Sequence, residues 1–270
     1  MLVVTCIKQV PDTTQVKVDP VTNTLVRDGI PLILNPYDTN ALEEALRLKD
    51  KYGFRVAVLS MGPPNAELTL RKALALGADE AILISDRAFA GADTLATSNV
   101  LACAISKLSE KEEVGFVLCG KQTIDGDTAQ VGPGIAVRLG YSQLTFVDRI
   151  ENIEAGRKTV RVRRKLEGRH EVVESFFPAM ISVVREINHL RYPTVPMRLN
   201  SKDARVTIWD NKVLGLDPNT VGLKGSPTWV SKIFSPERTK GQILGNGMAD
   251  PEGTARLLVE KLKEKEVLTF

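Results

Sequence analysis

Short continuous apolar runs alternate with helical stripes over the first 140 residues. The runs are "LVVTCI" (2–7), "RVAVLSMG" (55–62), "AILIS" (81–85) and "VGFVLCG" (114–120). Strands of a parallel sheet look like this, because helices cover both faces and neither face needs polar positions. Between the first two runs, Ala41, Leu42, Ala45, Leu46 and Leu48 form an apolar stripe behind Asn40, with Glu43 at capping-box spacing and Gly53 as the stop. A second helix is predicted over about Glu67 to Leu76, ending at Gly77. A third covers about Leu95 to Leu108 behind Asp93 or Thr94. A fourth starts at Asp127 or Thr128 and ends near Gly140. Strand and helix in strict alternation predict an α/β fold, a doubly wound, mostly parallel sheet with right-handed crossovers.

From about residue 144 the texture changes. "TFVDRIENI", "KTVRVRRKLEG" and "HEVVESFFPAMISVV" are rich in β-branched and aromatic residues and are joined by turns at Ala155-Gly156 and Gly168. Successive strands without helices predict antiparallel strands extending the same sheet. Past Val184 the chain turns irregular, and "RYPTVP" holds Val195 between two prolines. Residues 209–250 are rich in glycine and proline and show little periodicity. So long a loop inside a compact domain is uncommon, which predicts an arm lying on a partner subunit. "DPEGTARLLVEKLKEKEVL" closes the sequence as an amphipathic helix with Pro251 near its first turn. The expected division is a nucleotide-binding α/β domain over 1–200, with a loop at about 188–200, and a C-terminal arm and helix over 201–270.

Composition narrows the class. A chain of 270 residues with 43% hydrophobic positions can build a sizeable core. Its 36 basic and 33 acidic residues nearly balance, so no overall nucleic-acid or membrane signal arises. Arg161, Arg163, Arg164, Lys165 and Arg169 alternate with glutamates and read as a solvated strand face. Cys6, Cys103 and Cys119 have neither zinc spacing nor an even count. With only two histidines, His170 and His189, no metal site or catalytic triad is expected. No signal peptide and no apolar stretch of about 18 residues is found, which predicts a cytoplasmic protein.

Ligands of doubly wound sheets sit beyond the carboxyl ends of the strands. There the sequence supplies "KQVPD", "MGPPN", "SDRAFAGADT" and "GKQTIDGDT". The last continues as "CGKQTIDGDTAQVGPGIAVRLG" (119–140), which is neither a P-loop nor a dinucleotide glycine fingerprint. A strand end, a polar loop and a helix start still place free backbone N–H groups where a phosphate would be attracted. Thr123 and Thr128 can add hydroxyl donors, and Gly126, Gly132 and Gly134 are expected to let the ligand approach. Asp127 is expected as the helix N-cap. Asn35 can offer both a donor and an acceptor to an adenine edge.

"CIKQVPD", "NPYD" (35–38), "GADE" (77–80), "GKQTIDGDTAQVGP", "VRVRRKLEGRHEVVESFFPAMISV" and "LRYPTVP", in this order, resemble the beta subunit of electron transfer flavoprotein over almost the whole chain. The resemblance implies an adenine-nucleotide alpha-hydrolase-like sheet, a heterodimer with an alpha subunit, and a buried adenine-nucleotide site. Carried over by position, the contacts come from Cys6, Asn35, Met61, Gly120, Gln122, Thr123 and the run Asp127, Thr128, Ala129, Gln130 and Val131. Tyr192, Thr194 and Val195 match the family's partner-recognition loop.

Members of this family hold either a structural AMP or an FAD in this subunit. "GADTLATS" (91–98), with Asp93, Thr94 and Thr97, and "DGDTAQVGP" are similar to the FAD-holding kind. The resemblance then implies an FAD that accepts hydride from NADH and divides its electrons between two routes. One route ends at ferredoxin or flavodoxin. The other passes through the alpha-subunit FAD to an acyl-CoA dehydrogenase-type flavoenzyme. NADH is expected to dock near Asp38 and Gly62. No side chain stands out as an acid or base for bond cleavage. An ATP-binding regulatory module of the stress-protein type shares the sheet logic, but it has no need of the 209–250 arm.

Overall fold

The computed structural model describes residues 1–12, 31–229, 231 and 241–268, together with the backbone of 17–18 and 25–26. Two compact units are present, Met1–Ser231 and Lys232–Phe270. The middle of the expected arm, 232–240, lies outside the described residues.

In the first unit β1 (Leu2–Cys6) leads to β2 (Gln9–Pro11), β3 (Lys17–Val18), β4 (Leu25–Val26) and β5 (Leu32–Leu34). These last four form two small antiparallel pairs, β2 with β5 and β3 with β4. Then follow α1 (Pro36–Tyr52), β6 (Arg55–Met61), α2 (Glu67–Leu76), β7 (Glu80–Ile84), α3 (Thr94–Ser109), β8 (Val114–Gly120) and α4 (Val131–Leu139). The remainder is β9 (Ser142–Glu154), β10 (Thr159–Leu166), β11 (Arg169–Phe176), β12 (Ala179–Val183), α5 (Val195–Asp203), β13 (Thr207–Trp209) and α6 (Asn211–Leu214). The main sheet runs β11-β10-β9-β12-β8-β1-β6-β7-β13.

Every pairing from β9 through β12, β8, β1, β6 and β7 to β13 is parallel. Only β10 and β11 add antiparallel strands at one edge. Neighbouring residues of each strand point to opposite faces. Val3, Val58, Phe116 and Ile181 therefore meet Leu42, Leu46 and Leu70 of α1 and α2 on one face. Val4, Leu59, Val117 and Met180 meet Val100, Ile105 and Ile135 of α3 and α4 on the other.

Three expectations are corrected here. "HEVVESFFPAMISVV" is two strands of different kinds. Residues 169–176 alternate half-buried and exposed positions on the edge, while 179–183 is buried throughout and inserts in parallel between β8 and β9. The run "AMISVV", apolar but for Ser182, has the texture of an interior parallel strand. Helix α1 begins at Pro36 instead of Asn40, because proline at its first position presets the helical φ. Asn40 sits inside the helix on the buried face, donating to Asn188 O at 2.8 Å and Asn188 Oδ1 at 3.0 Å. The first unit also extends past 200, since β13 joins the sheet beside β7 and Leu214 and Val221 are buried in the α3-side core.

In the second unit α7 (Pro251–Glu264) forms over the expected segment. Asp250 caps it, accepting from the Gly253 N–H at 2.9 Å. None of its residues is buried within this unit.

Candidate functional site

The chain runs from β1 to β6 and β7 on one side, then α3 carries it back to β8 on the other side of β1. The strand order thus reverses between β1 and β8, and these two strand ends mark the place where an open sheet of this kind has its ligand crevice. Cys6 and Cys119 are register partners at that point, one residue before β8 ends at Gly120.

The first turn of α1 closes the floor of this crevice. Asp38 accepts the Lys8 N–H at 2.8 Å through Oδ2 and the Gly120 N–H at 3.0 Å through Oδ1. A side chain at Gly120 is excluded, since a Cβ there would lie 2.5 Å from Tyr37 Cβ and 2.6 Å from Asp38 Oδ1. Asn35 has no exposed surface; its amide donates to Gln122 O at 2.9 Å and accepts from the Ile124 N–H at 3.3 Å. Its own backbone N–H donates to Lys8 O at 2.9 Å. Asn35 and Asp38 thus stitch the two loops together, and neither presents a free edge to a ligand.

Asp38 is only 4% exposed, its carboxylate turned to the Lys8 and Gly120 amides. Burial pushes its carboxyl up to about 7, against the hydrogen bonds of Asn35, Lys8 and Gly120 that favour the ionised form. Burial likewise pushes the Cys6 thiol up to about 12 and the Cys119 thiol well above its usual value, which makes both poor nucleophiles.

Beyond Gly120 the loop takes an unusual path. Asp127 and Ala129 both adopt left-handed φ, 51° and 56°. Helix α4 starts only at Val131, and its N-cap residue Gln130 makes no side-chain cap bond. The expected cap, Asp127, accepts instead from Gln122 Nε2 at 2.7 Å. Among the described residues, no acceptor takes any backbone N–H from Thr128 through Gly132. Left-handed Ala129 followed by right-handed Gln130 is the conformation that turns successive N–H groups toward one point, a ready concavity for an anion. The helix end adds its dipole.

Two glycines expected to face the ligand face the protein. A Cβ on Gly132 would meet Cys119 Sγ at 2.7 Å, and one on Gly134 would meet Ser98 Oγ at 2.7 Å. They let α4 sit close to the sheet and to α3.

Around this cradle, Thr94 Oγ1 donates to Gln130 Oε1 at 2.7 Å, tying the start of α3 to the start of α4. Lys8 Nζ pairs with Asp125 at 2.7 Å. Thr97 is half-buried one turn into α3, and its N–H donates to Asp93 O. Asp93 caps α3 through Leu95 and Ala96, at 2.9 and 3.0 Å, and its second oxygen accepts from the Thr228 N–H and hydroxyl. Its carboxylate is fully engaged. Met61 ends β6 half-buried, and the Gly62 N–H donates to Ile84 O at 3.0 Å, so both stand one strand further from β8.

Tyr192, Thr194 and Val195 lie apart from the crevice. Tyr192 is 94% and Val195 72% exposed. Thr194 caps α5, accepting from the Met197 N–H at 3.3 Å, so the expected loop turns helical at Val195. Its base is anchored by Arg191, which donates to both Glu43 oxygens at 3.0 and 3.1 Å and to Asp50 at 2.7 Å. The basic run 161–169 pairs across the sheet: Arg163 is bidentate to Asp148 at 2.8 and 2.9 Å, and Arg161 meets Glu151 at 3.1 Å.

Sequence reading missed the bonds of Lys8 and the network joining Asn40, Glu43 and Glu44 to Asn188 and Arg191, two groups more than 140 residues apart in the chain that leave no local signal of their contact. Among the described residues there is no cluster suited to a metal ion, and no helix long and apolar enough to cross a membrane.

Residues 22–214 match the electron transfer flavoprotein domain model. The chain is 49% identical to Protein FixA of Azotobacter vinelandii, over 96% of this chain and 93% of that protein. It is 46% identical to the electron transfer flavoprotein subunit beta of Clostridium acetobutylicum and 47% identical to the caffeyl-CoA reductase-Etf complex subunit CarD of Acetobacterium woodii, each over 99% of this chain and 100% of the relative. The chain belongs to the electron transfer flavoprotein family. Its full-length likeness is to beta subunits, which pair with alpha subunits, in a family that binds flavin or AMP.

Proposed function

We propose that the crevice between β1 and β8 holds an FAD, and that with an alpha subunit the chain forms an electron-bifurcating flavoprotein. The observation that carries this reading is the run of uncommitted N–H groups from Thr128 to Gly132 at the start of α4. Five backbone donors without a protein acceptor beside a helix N-terminus suit a diphosphate. Thr123, Thr128 and Gln122 border the same loop and supply polar contacts to the ribose and adenine end. Cys6, Gly120 and Asn35 shape the crevice by their backbone and their bulk. The bound flavin would supply two-electron acceptance from NADH and one-electron delivery onward. The protein's part is to position it and to leave the Met61–Gly62 side open for the nicotinamide.

The likeness to subunit CarD of a caffeyl-CoA reductase-Etf complex supports an acyl-CoA dehydrogenase-type flavoenzyme as one acceptor, reached through the alpha-subunit FAD. Ferredoxin or flavodoxin is the other acceptor in this reading, and the location is cytoplasmic. Exposed Tyr192 and Val195, on a base fixed by Arg191 and Glu43, would dock the dehydrogenase. The arm and α7, with Leu258 and Val259 exposed, would pack on the alpha subunit.

One observation favours AMP instead: both oxygens of Asp93 are occupied by Leu95, Ala96 and Thr228, leaving nothing for a ribityl chain. The two readings separate by counting. Co-expressed heterodimer should release two FAD and no AMP on denaturation, and NADH should bleach the flavin. One FAD with one AMP, and no bleaching, would establish the AMP form.

A further inference from the structure

Asp38 is a buried carboxylate for which the proposed electron-transfer role has no direct use. Its two oxygens reach across the crevice, one to the amide just past β1 and the other to the last residue of β8. Those are the two strands between which the strand order reverses. Asn35, three residues earlier, fastens the β8 loop by two further hydrogen bonds. The contact at Gly120 leaves no slack, because any side chain there would strike Tyr37 and Asp38.

We infer that Asp38 is a positioning residue whose ionised carboxylate sets the spacing of the β1 and β8 loops, so that a nucleotide in the crevice is bound tightly only while Asp38 carries its charge. The inference rests on the reading of the crevice as a nucleotide site. An ionised carboxylate has two strong acceptor oxygens, one for each of the two backbone N–H donors; a neutral carboxyl leaves one of them a weaker hydroxyl acceptor and adds an O–H that needs a partner of its own. Protonation therefore weakens one side of the clamp.

The groups around Asp38 leave it as the titrating member. From β1 it is faced by Cys6 and, just past the strand, Lys8; from β8 it is faced by Cys119. Both thiols stay neutral across the physiological range because burial raises them. Lys8 carries its charge toward Asp125 at 2.7 Å, and Arg185, from the segment after β12, stacks over neighbouring Tyr37 at 5.1 Å. Burial brings Asp38 itself into the neutral range.

The test titrates the full chain with FAD by fluorescence and with ADP-ribose by calorimetry between pH 5.5 and 8.5. Neither diphosphate ester changes charge in that window. Wild-type affinity should fall at least tenfold from pH 8.5 to 5.5. Asp38→Asn should bind at least tenfold more weakly than wild type at pH 8.5 and show a flat profile. A flat wild-type profile, or one that tightens as pH falls, would overturn the clamp while leaving the nucleotide site standing. Failure of wild type to bind either probe at any pH would remove the site and the clamp together. Should the variant not fold, hydrogen exchange in the wild type decides. The Lys8 and Gly120 amides should lose protection, corrected for intrinsic rate, as pH falls through about 7; unchanged protection would refute the inference.

Discussion

At the scale of single residues, the crevice is held by side chains whose chemistry depends on burial. Asp38 illustrates the conflict: hydrogen-bond donors around it favour its charge, yet desolvation wins and lifts it to about 7. The consequence for stability has a definite sign. Between about pH 4, where an unfolded aspartate titrates, and about 7, the folded chain keeps a proton that the unfolded chain has lost. This group's contribution therefore falls as pH rises through that window, by at most about 4 kcal/mol at ~1.4 kcal/mol per unit. Urea unfolding at pH 5 and 8 should show Asp38→Asn flattening that slope, so an unchanged slope would exclude Asp38 as its origin. Thr5 and Ser60 offer a simpler case. Their buried hydroxyls have no partner among the described residues. Thr5→Val, nearly the same shape, should leave stability unchanged or raise it by about 1 kcal/mol in urea unfolding. Asn35 shows where residue reading fell short. Its pairing capacity was plain from its chemistry, but the groups that use it, Gln122 and Ile124, arrive from another loop.

At the scale of elements, capping and packing decide where helices start and what they fix. Asp93 was legible as the cap of α3 because its spacing to Leu95 and Ala96 is local. The start of α4 was not, since left-handed Asp127 and Ala129 delay it to Val131 and nothing in the polar run marks that choice. The delay matters, because it frees the N–H groups that form the cradle. Helix α1 joins two sites: its first turn closes the crevice through Asp38, and its second and third turns hold Arg191 through Glu43 and Asn188 through Asn40 and Glu44. Arg191→Met would leave the buried Glu43 carboxylate without its main partner. It should cost about 3 kcal/mol, as for breaking a buried pair from one side, and Glu43→Gln in the same chain should recover part of that loss. A double-mutant cycle in urea measures the coupling; strict additivity would mean the pair does not anchor the 188–195 segment.

At the scale of the whole molecule, the parallel order of the strands makes the site. The direction of strand addition reverses between β1 and β8, and the chain segments that follow these strand ends carry Cys6, Asn35, Gly120 and the Asp127–Val131 run. A ligand bound there and not by the unfolded chain stabilises the fold by mass action, about 2.7 kcal/mol at a hundredfold excess over Kd. FAD should accordingly raise the thermal midpoint of the full chain by several degrees, and Gly120→Ala, which drives a methyl into Tyr37, should lower the starting midpoint and abolish the shift. No shift with the wild-type chain would count against the crevice as the nucleotide site. The pattern of residues alone determined the alternation of buried strands and helices, the polar loops at one rim and the kinship with beta subunits. Periodicity, caps and contiguous motifs are local properties that a linear chain displays. Tertiary structure decided the insertion of β12 beside β8, the burial of Asp38 and the inward turn of Gly132 and Gly134. Each of these depends on which distant segment becomes the neighbour, and burial and hydrogen-bond partners exist only once that neighbour is in place.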